Sequence, residues 1–256
     1  MRWGGGCSLD RRVLARPTGA SGYRLGVDEA TTRLLTWVDA HDVPPRHDEV
    51  EDRLLADGWT LCGEGDWARA YRSPTGPIAA RVSSFDPACV FTVRLYREGT
   101  WNRYLPRLDA HRNLDGGGQL MVMELLAAMP GDEARAWHQR LHDPAAHRVD
   151  PDLATVAALI DDVHRRAEAE LPWCGPLDDN PGNVMRDSAG QAKFVDLFYV
   201  QGLVLYDKAL AAPAEVAAAI PADQRRHMFE IPALLREASP EEVARMRAVM
   251  ASADGD

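Results

Sequence analysis

Between Trp59 and Val82 the chain runs through three short segments whose residues alternate in polarity. The links between them hold only a few residues. Trp59-Thr60-Leu61-Cys62 reads as a strand, Arg69-Ala70-Tyr71-Arg72 as a returning strand, and Pro77–Val82 as a third. Ser73-Pro74-Thr75-Gly76 is turn chemistry. Parallel neighbours need a crossover of about a dozen residues or more, so these strands must form an antiparallel meander. A βαβ unit is excluded at this point. The Gly63-x-Gly65 turn therefore cannot be a dinucleotide-binding turn, because a strand follows it where a helix would be needed.

Elsewhere the spacing is mostly helical. One helix is expected over 29–40, with Leu34, Leu35 and Val38 on one face. A second is expected from Asp48 as N-cap, with Glu51 at the capping-box position and Gly58 past its end. Asp86-Pro87 opens a third, on which Phe91, Leu95 and Glu98 share a face. A weak strand is expected near Leu108, and Asp115-Gly116-Gly117-Gly118 as a loop before an apolar strand from Gln119 that ends on Glu124. Helices follow over 133–141, after Asp150-Pro151, and after Ser239-Pro240 with Glu242 closing a capping box. Between them, Pro172 to Met185 is too rich in Pro and Gly for helix, and a tight ribbon turns at Asp187–Gly190. Residues 1–27, rich in Gly and Arg, read as an irregular arm.

The 256 residues carry a formal net charge of −10, with 39 acidic and 29 basic side chains. Only Lys193 and Lys208 are lysine, which leaves 27 arginines. An acidic balance argues against broad binding to nucleic acid or to an anionic membrane, and suits a cationic ligand. No run reaches the apolar length of a membrane span, no apolar leader is visible at Met1–Arg12, and the expected location is cytoplasmic. Cys7, Cys62, Cys89 and Cys174 form no CxxC pair, so neither a disulfide framework nor a cysteine zinc site is expected. His138 and His142 stand i, i+4 with no third ligand in view, and His164 reads as a core histidine.

The pieces fall in a telling order. A glycine turn (Gly63, Gly65) precedes a basic residue on the third strand (Arg81), a helix glutamate (Glu98) and an apolar strand ending Met123-Glu124. Asp178-Asp179-Asn180-Pro181-Gly182-Asn183 follows, and Asp196 closes the ribbon thirteen residues after Asn183. In this order the chain resembles the protein-kinase-like superfamily, and within it the small-molecule kinases related to aminoglycoside phosphotransferases. The resemblance spans roughly Trp59 to Asp196. It implies an α+β fold of two lobes, a small antiparallel β N-lobe over 51–126 and a mainly helical C-lobe over 127–256, after a helical N-terminal extension over 1–50.

The resemblance also implies roles. Gly63 and Gly65 would let backbone amides approach a polyphosphate. Met123 would gate an adenine pocket, with the backbone of Glu124 to Leu126 bonding the base of ATP. Asp178 would orient or deprotonate a hydroxyl, Asn183 and Asp196 would hold Mg²⁺, Arg81 would contact phosphates and Glu98 would orient Arg81. The implied acceptor is a hydroxyl of a small molecule, and the negative charge suits a cationic one. A catalytically impaired nucleotide-binding protein and a Ser/Thr protein kinase are the alternatives.

Several positions depart from that pattern. Ala68 stands at the third glycine, Pro176-Leu177 precedes Asp178, and Leu197-Phe198 follows Asp196. Arg81 stands where the family has lysine. Guanidinium is larger and planar and prefers a bidentate carboxylate, so Arg69 or Arg72 remains open as the phosphate contact.

Overall fold

The structure is a computed structural model that describes residues 28–255. The irregular arm expected over 1–27 lies outside the described residues. Helices α1 (Glu29–Asp39) and α2 (His47–Ala56) come first. Asp28 caps α1 by accepting the Thr31 amide at 2.7 Å. The cap of α2 differs from the expectation. Arg46 is the N-cap, and Glu49 reaches back to its amide at 2.8 Å. Starting at His47 places Asp48 and Glu49 in the first turn, where the helix dipole favours them. Glu51 is thereby released to meet Arg69 at 3.2 Å. Helix α2 runs across residue 50, where a boundary was expected.

Five strands follow: β1 (Thr60–Glu64), β2 (Arg69–Arg72), β3 (Ile78–Ser83), β4 (Leu108–Asn113) and β5 (Gln119–Glu124). Helix α3 (Cys89–Glu98) lies between β3 and β4. The sheet order is β1-β2-β3-β5-β4, and every neighbouring pair is antiparallel. A short β6 (Ala127–Ala128) then precedes α4 (Gly131–Leu141), α5 (Pro144–Val149) and α6 (Pro151–Glu170). The ribbon of β7 (Val184–Arg186) and β8 (Ala192–Phe194) pairs with β6 in a second antiparallel sheet. The chain ends in α7 (Gly202–Ala211), α8 (Pro213–Ala219), α9 (Ala222–Arg225), α10 (Pro232–Glu237) and α11 (Pro240–Asp254). Ser239 and Glu242 form the expected capping box on α11. The fold is α+β, a small antiparallel sheet with a helical remainder.

Strand alternation decides what each face of the large sheet meets. Ile78, Ala80 and Val82 of β3, with Leu120 and Val122 of β5, pack against Leu34, Val38, Val50 and Leu54 of α1 and α2. The opposite face carries Ala79, Arg81 and Met123, which open onto a cavity. Met121 on that face meets Cys89 and Val93 of α3. A larger core gathers around α6, whose Leu153, Val156, Ile160 and Val163 are buried. No helix among the described residues is long and apolar enough to cross a membrane.

One of the two lysines is structural. Lys193 on β8 is buried, and its ammonium donates to the Leu105 carbonyl at 3.2 Å. It also lies 3.2 Å from Glu124 and 3.6 Å from Asp187. Removing one partner of a buried charge group strands the rest and typically costs about 3–5 kcal/mol. Lys193→Met is therefore expected to lose about that much stability in urea unfolding. Lys208 pairs with Glu215 at the surface, and Lys208→Met should change stability by only about 0–1 kcal/mol.

Candidate functional site

A cavity of about 740 Å³ lies between the sheet face bearing Arg81 and the β7–β8 ribbon. Gly63, Gly65, Arg81, Met123, Glu124 and Leu126 line it from the sheet side. Asp178, Asn183 and Asp196 line it from the ribbon side. Of the ten residues singled out in the sequence, Glu98 alone is not on its wall.

One end of the cavity is an apolar slot. Ala79 and Met123 pair across β3 and β5, and Met185 and Val195 approach from the ribbon. The backbone edge beside it is partly committed. The Glu124 amide donates to the Arg107 carbonyl at 3.1 Å and the Leu125 amide to the Pro77 carbonyl at 2.8 Å. The Leu126 amide makes no backbone hydrogen bond within the described chain. Along the backbone from Glu124 to Leu126, where base contacts are expected, the Leu126 amide is the one left to donate. A flat apolar slot with one free backbone donor suits a planar heterocycle.

The other end is polar and held by Asn183. Pro181–Asn183 form a 3₁₀ turn capped by the Asn180 side chain, which accepts the Gly182 amide at 2.9 Å. The Asn183 side-chain nitrogen Nδ2 donates to Asp178 Oδ2 at 2.9 Å and to the Asp196 backbone carbonyl at 3.1 Å. Asp178 Oδ1 accepts the Asn180 amide at 2.9 Å, so the carboxylate is fixed at both oxygens. The Asp178 amide in turn donates to the Leu197 carbonyl at 3.0 Å. Asp196 has φ 46°, one of two non-glycine residues with positive φ among the described residues. Such a conformation costs energy, and Asp tolerates it better than most residues.

Arg81 forms the expected kind of ion pair with an unexpected partner. Its guanidinium meets Asp86 at 2.9 Å and Asp196 at 3.4 Å. Burial opposes the Arg81 charge, but Asp196 and Asp86 outweigh it and raise the pKa above its ordinary value. Burial likewise pushes the Asp86 carboxyl up, with Arg81 pulling the other way. Glu98 instead bonds Arg166 of α6 at 3.2 Å on the surface.

The correction has a geometric cause. Phe91 and Leu95, the face shared with Glu98, belong to the helical core beside α6. The residues of α3 that meet the sheet strand β5 are Cys89 and Val93, against Met121, while Tyr96 joins Phe91 and Leu95 in the larger core and reaches the cavity wall. Tyr96 lines the cavity, and its buried hydroxyl stands beside the backbone of Asp196 without a well-formed hydrogen bond among the described residues. Burial first, then the Asp196 charge, keeps it protonated and able to donate.

The sequence did not single out Asp86, Ala79, Met185, Val195 or Tyr96 as site residues. Asp86 carries a signal all the same, as the expected N-cap; α3 instead starts at Cys89 with Ala88 at the cap position, and Asp86 Oδ1 accepts the Cys89 amide from the turn before it, at 3.1 Å. Of the arginines left open as phosphate contacts, Arg69 lines the cavity but is held by Glu64 at 2.8 Å and Glu51 at 3.2 Å. Arg72 is exposed and off the cavity wall.

The residues present fit both a nucleotide and a hard cation. A Cβ built at Gly63 or Gly65 would find only ordinary contacts at 3.8 and 3.9 Å, and neither has positive φ. Protein packing therefore does not demand glycine at either, whereas close approach of a polyphosphate to the backbone would. Asn183 offers its side-chain carbonyl oxygen and Asp196 its carboxylate, the hard oxygen donors Mg²⁺ prefers.

No protein-family model and no curated protein matches this sequence. Among solved structures, the chain is similar to one in the structure of the CAK complex from Chaetomium thermophilum bound to ATP-gamma-S. That match has 15% identity and a TM-score of 0.34, over 54% of this chain and 45% of that chain. It is also similar to the crystal structure of WbdD, at 9% identity and a TM-score of 0.33, over 75% of this chain and 50% of that one. The chain thus matches half or less of the length of these solved chains.

Stability tests the reassigned ion pair. Arg81→Ala leaves Asp86 buried and unpaired, and should cost about 3–5 kcal/mol in urea or thermal unfolding. Glu98→Ala removes only a surface pair, and should cost about 0–1 kcal/mol. The reverse ranking would make Glu98, and not Asp86, the carboxylate that holds the sheet arginine.

Proposed function

We propose that this chain is an ATP-dependent phosphotransferase of the kinase-like kind, two-lobed, moving the γ-phosphoryl group to a hydroxyl of a small cationic molecule. The observation that carries the reading is the Asn183 side-chain amide, which ties Asp178 to the backbone of Asp196 at one end of a cavity whose other end is an apolar slot. Phosphoryl transfer is chiefly a matter of positioning and charge neutralisation, and that arrangement provides for both.

The residues divide the work. The slot of Ala79, Met123, Met185 and Val195 would hold the base, with the Leu126 amide donating to it. The backbone at Gly63 and Gly65 would face the phosphates. Asn183 and Asp196 would hold Mg²⁺, which when bound neutralises phosphate charge. Asp178, fixed by Asn180 and Asn183, would orient the acceptor hydroxyl and take its proton. Arg81 would keep Asp196 in place and face the phosphates from the sheet.

The acidic wall favours a cationic acceptor. Glu64, Asp66, Asp86, Glu124, Asp178 and Asp196 line the cavity against Arg69 and Arg81. Such a wall repels a bare polyphosphate and attracts an amine.

A second reading has one observation in its favour. Arg81 already places a cation against Asp196, so the carboxylate needed by a metal is partly neutralised. A nucleotide-binding protein without turnover would have that arrangement.

The tests separate the two. ATP should raise the melting temperature with Mg²⁺ and not without it, and amino-sugar or other polyamine acceptors should be consumed with release of ADP. Asp178→Asn should lower kcat by about 10²- to 10⁴-fold while leaving ATP–Mg²⁺ stabilisation intact. Stabilisation by ATP–Mg²⁺ with no product from any acceptor would favour the second reading. No response to ATP under either condition would sink both.

A further inference from the structure

Away from the cavity, three chain segments meet around two buried histidines. His47 opens α2, Asp115 sits in the 3₁₀ turn Asp115–Gly117 between β4 and β5, and His227 and Glu230 lie between α9 and α10. His47 and His227 are 7% and 2% exposed. The approach is close. A Cβ on Gly117 would lie 1.9 Å from the Gln224 carbonyl oxygen, and one on Gly116 2.2 Å from the His227 ring. The two glycines, at φ 65° and 92°, let the turn press on the segment before His227.

The polar atoms there are poorly matched without a further group. His227 Nε2 lies 3.1 Å from Asp115 Oδ2, which fixes that nitrogen as the protonated donor in the neutral ring. Nδ1 then carries a lone pair. It lies 3.2 Å from Glu230 Oε2, another lone-pair atom, and makes no hydrogen bond. His47 Nε2 lies 3.6 Å from the same oxygen, beyond hydrogen-bond reach; its other nitrogen, Nδ1, is buried without a partner on the side away from that oxygen's contact and is not a ligand atom here. One ligand atom from each of His47, His227 and Glu230 falls within 4.8 Å of the others. Donors about 2.0–2.2 Å from a tetrahedral zinc ion stand about 3.3–3.6 Å apart, and the two spacings to Glu230 Oε2, 3.2 and 3.6 Å, fall close to that range.

We propose that His47, His227 and Glu230 bind a Zn²⁺-class divalent ion, with a water as fourth ligand, and that this ion staples the start of α2 to the chain before α10. Asp115 acts from behind the site. Its carboxylate on the far nitrogen of His227 fixes the tautomer and orientation in which Nδ1 can ligate, the carboxylate–histidine–metal arrangement. Arg247 holds Glu230 Oε1 at 3.3 Å and leaves Oε2 for the metal. Arg46 also reaches Oε2, at 3.4 Å, a longer contact than its 3.0 and 3.1 Å bonds to Asp48, so a metal on Oε2 would have to displace only this weaker contact of a half-exposed side chain. Imidazole nitrogens with one carboxylate favour zinc over magnesium. The site is thus chemically distinct from the oxygen donors of the cavity.

The test uses the full chain, stripped with a chelator and titrated with Co²⁺ as a spectroscopic stand-in. One equivalent should give the intense visible bands of four-coordinate cobalt, and Zn²⁺ should bleach them and raise the melting temperature. His227→Ala and Glu230→Gln should abolish the bands. Asp115→Asn should weaken affinity about 10–100-fold, as loss of an orienting carboxylate does. His138→Ala and Asp196→Asn should leave the bands unchanged. If His227→Ala does not fold, the unsubstituted protein still decides the matter. Absence of four-coordinate bands and of any Zn²⁺ effect on melting would overturn the proposal. So would bands that survive Glu230→Gln or vanish with His138→Ala.

Discussion

A guanidinium placed on the inner face of a sheet, largely covered and open only to a cavity, has to find carboxylates where it stands, because an unpaired charge there would be costly to keep. Arg81 is in that position, and much of the surrounding geometry follows from it. Asp86, three residues past the end of β3, turns back to meet it and caps the first turn of α3 with its other oxygen. Asp196 comes within 3.4 Å from the ribbon side, in a left-handed conformation that a chain adopts only when its surroundings enforce it. The Asn183 side-chain amide supplies part of that enforcement, and through it Asp178 is fixed as well. One buried charge thus connects the sheet, the start of α3 and the ribbon.

The pairing also sets what the cavity can accept. Several lining charges are already spent on one another, Arg69 on Glu64 and Glu51, Arg81 on Asp86, and Glu124 on Lys193. What remains facing the space is acidic, mainly Asp178 and Asp196. A polyanion can settle there only with a cation, which links nucleotide and metal in the proposed function. The arginine excess of the chain finds its meaning here. Arg81 meets two carboxylates, Asp86 and Asp196, with one planar fork.

Much of this was legible in the sequence, because it rests on local rules. The meander follows from alternation and short turns, and the helix starts at Ser239 and at Asp150-Pro151 follow from capping chemistry. The Asp178–Asn183 spacing is carried by a Pro-Gly loop that fixes its own geometry. Glu98 shows where local rules stop. Helical spacing grouped it correctly with Phe91 and Leu95 but could not say that this stripe faces α6, while Cys89 and Val93 face the sheet. The same limit hid His47 and His227, which are 180 residues apart in the chain and touch only because Gly116 and Gly117 admit a close packing.

The sequence by itself determined the class of fold, the order of the elements from α1 to β5 and the residue types available at the cavity. Each depends on periodicity, turn chemistry or spacing within one segment. The tertiary structure decided the partnerships: Asp86 for Arg81, Arg166 for Glu98, Leu126 as the free amide, and the buried pair of histidines beside Glu230. A partner is chosen by which faces of which elements are pressed together. That choice is made by burial summed over the whole core, which no single stretch of the chain contains.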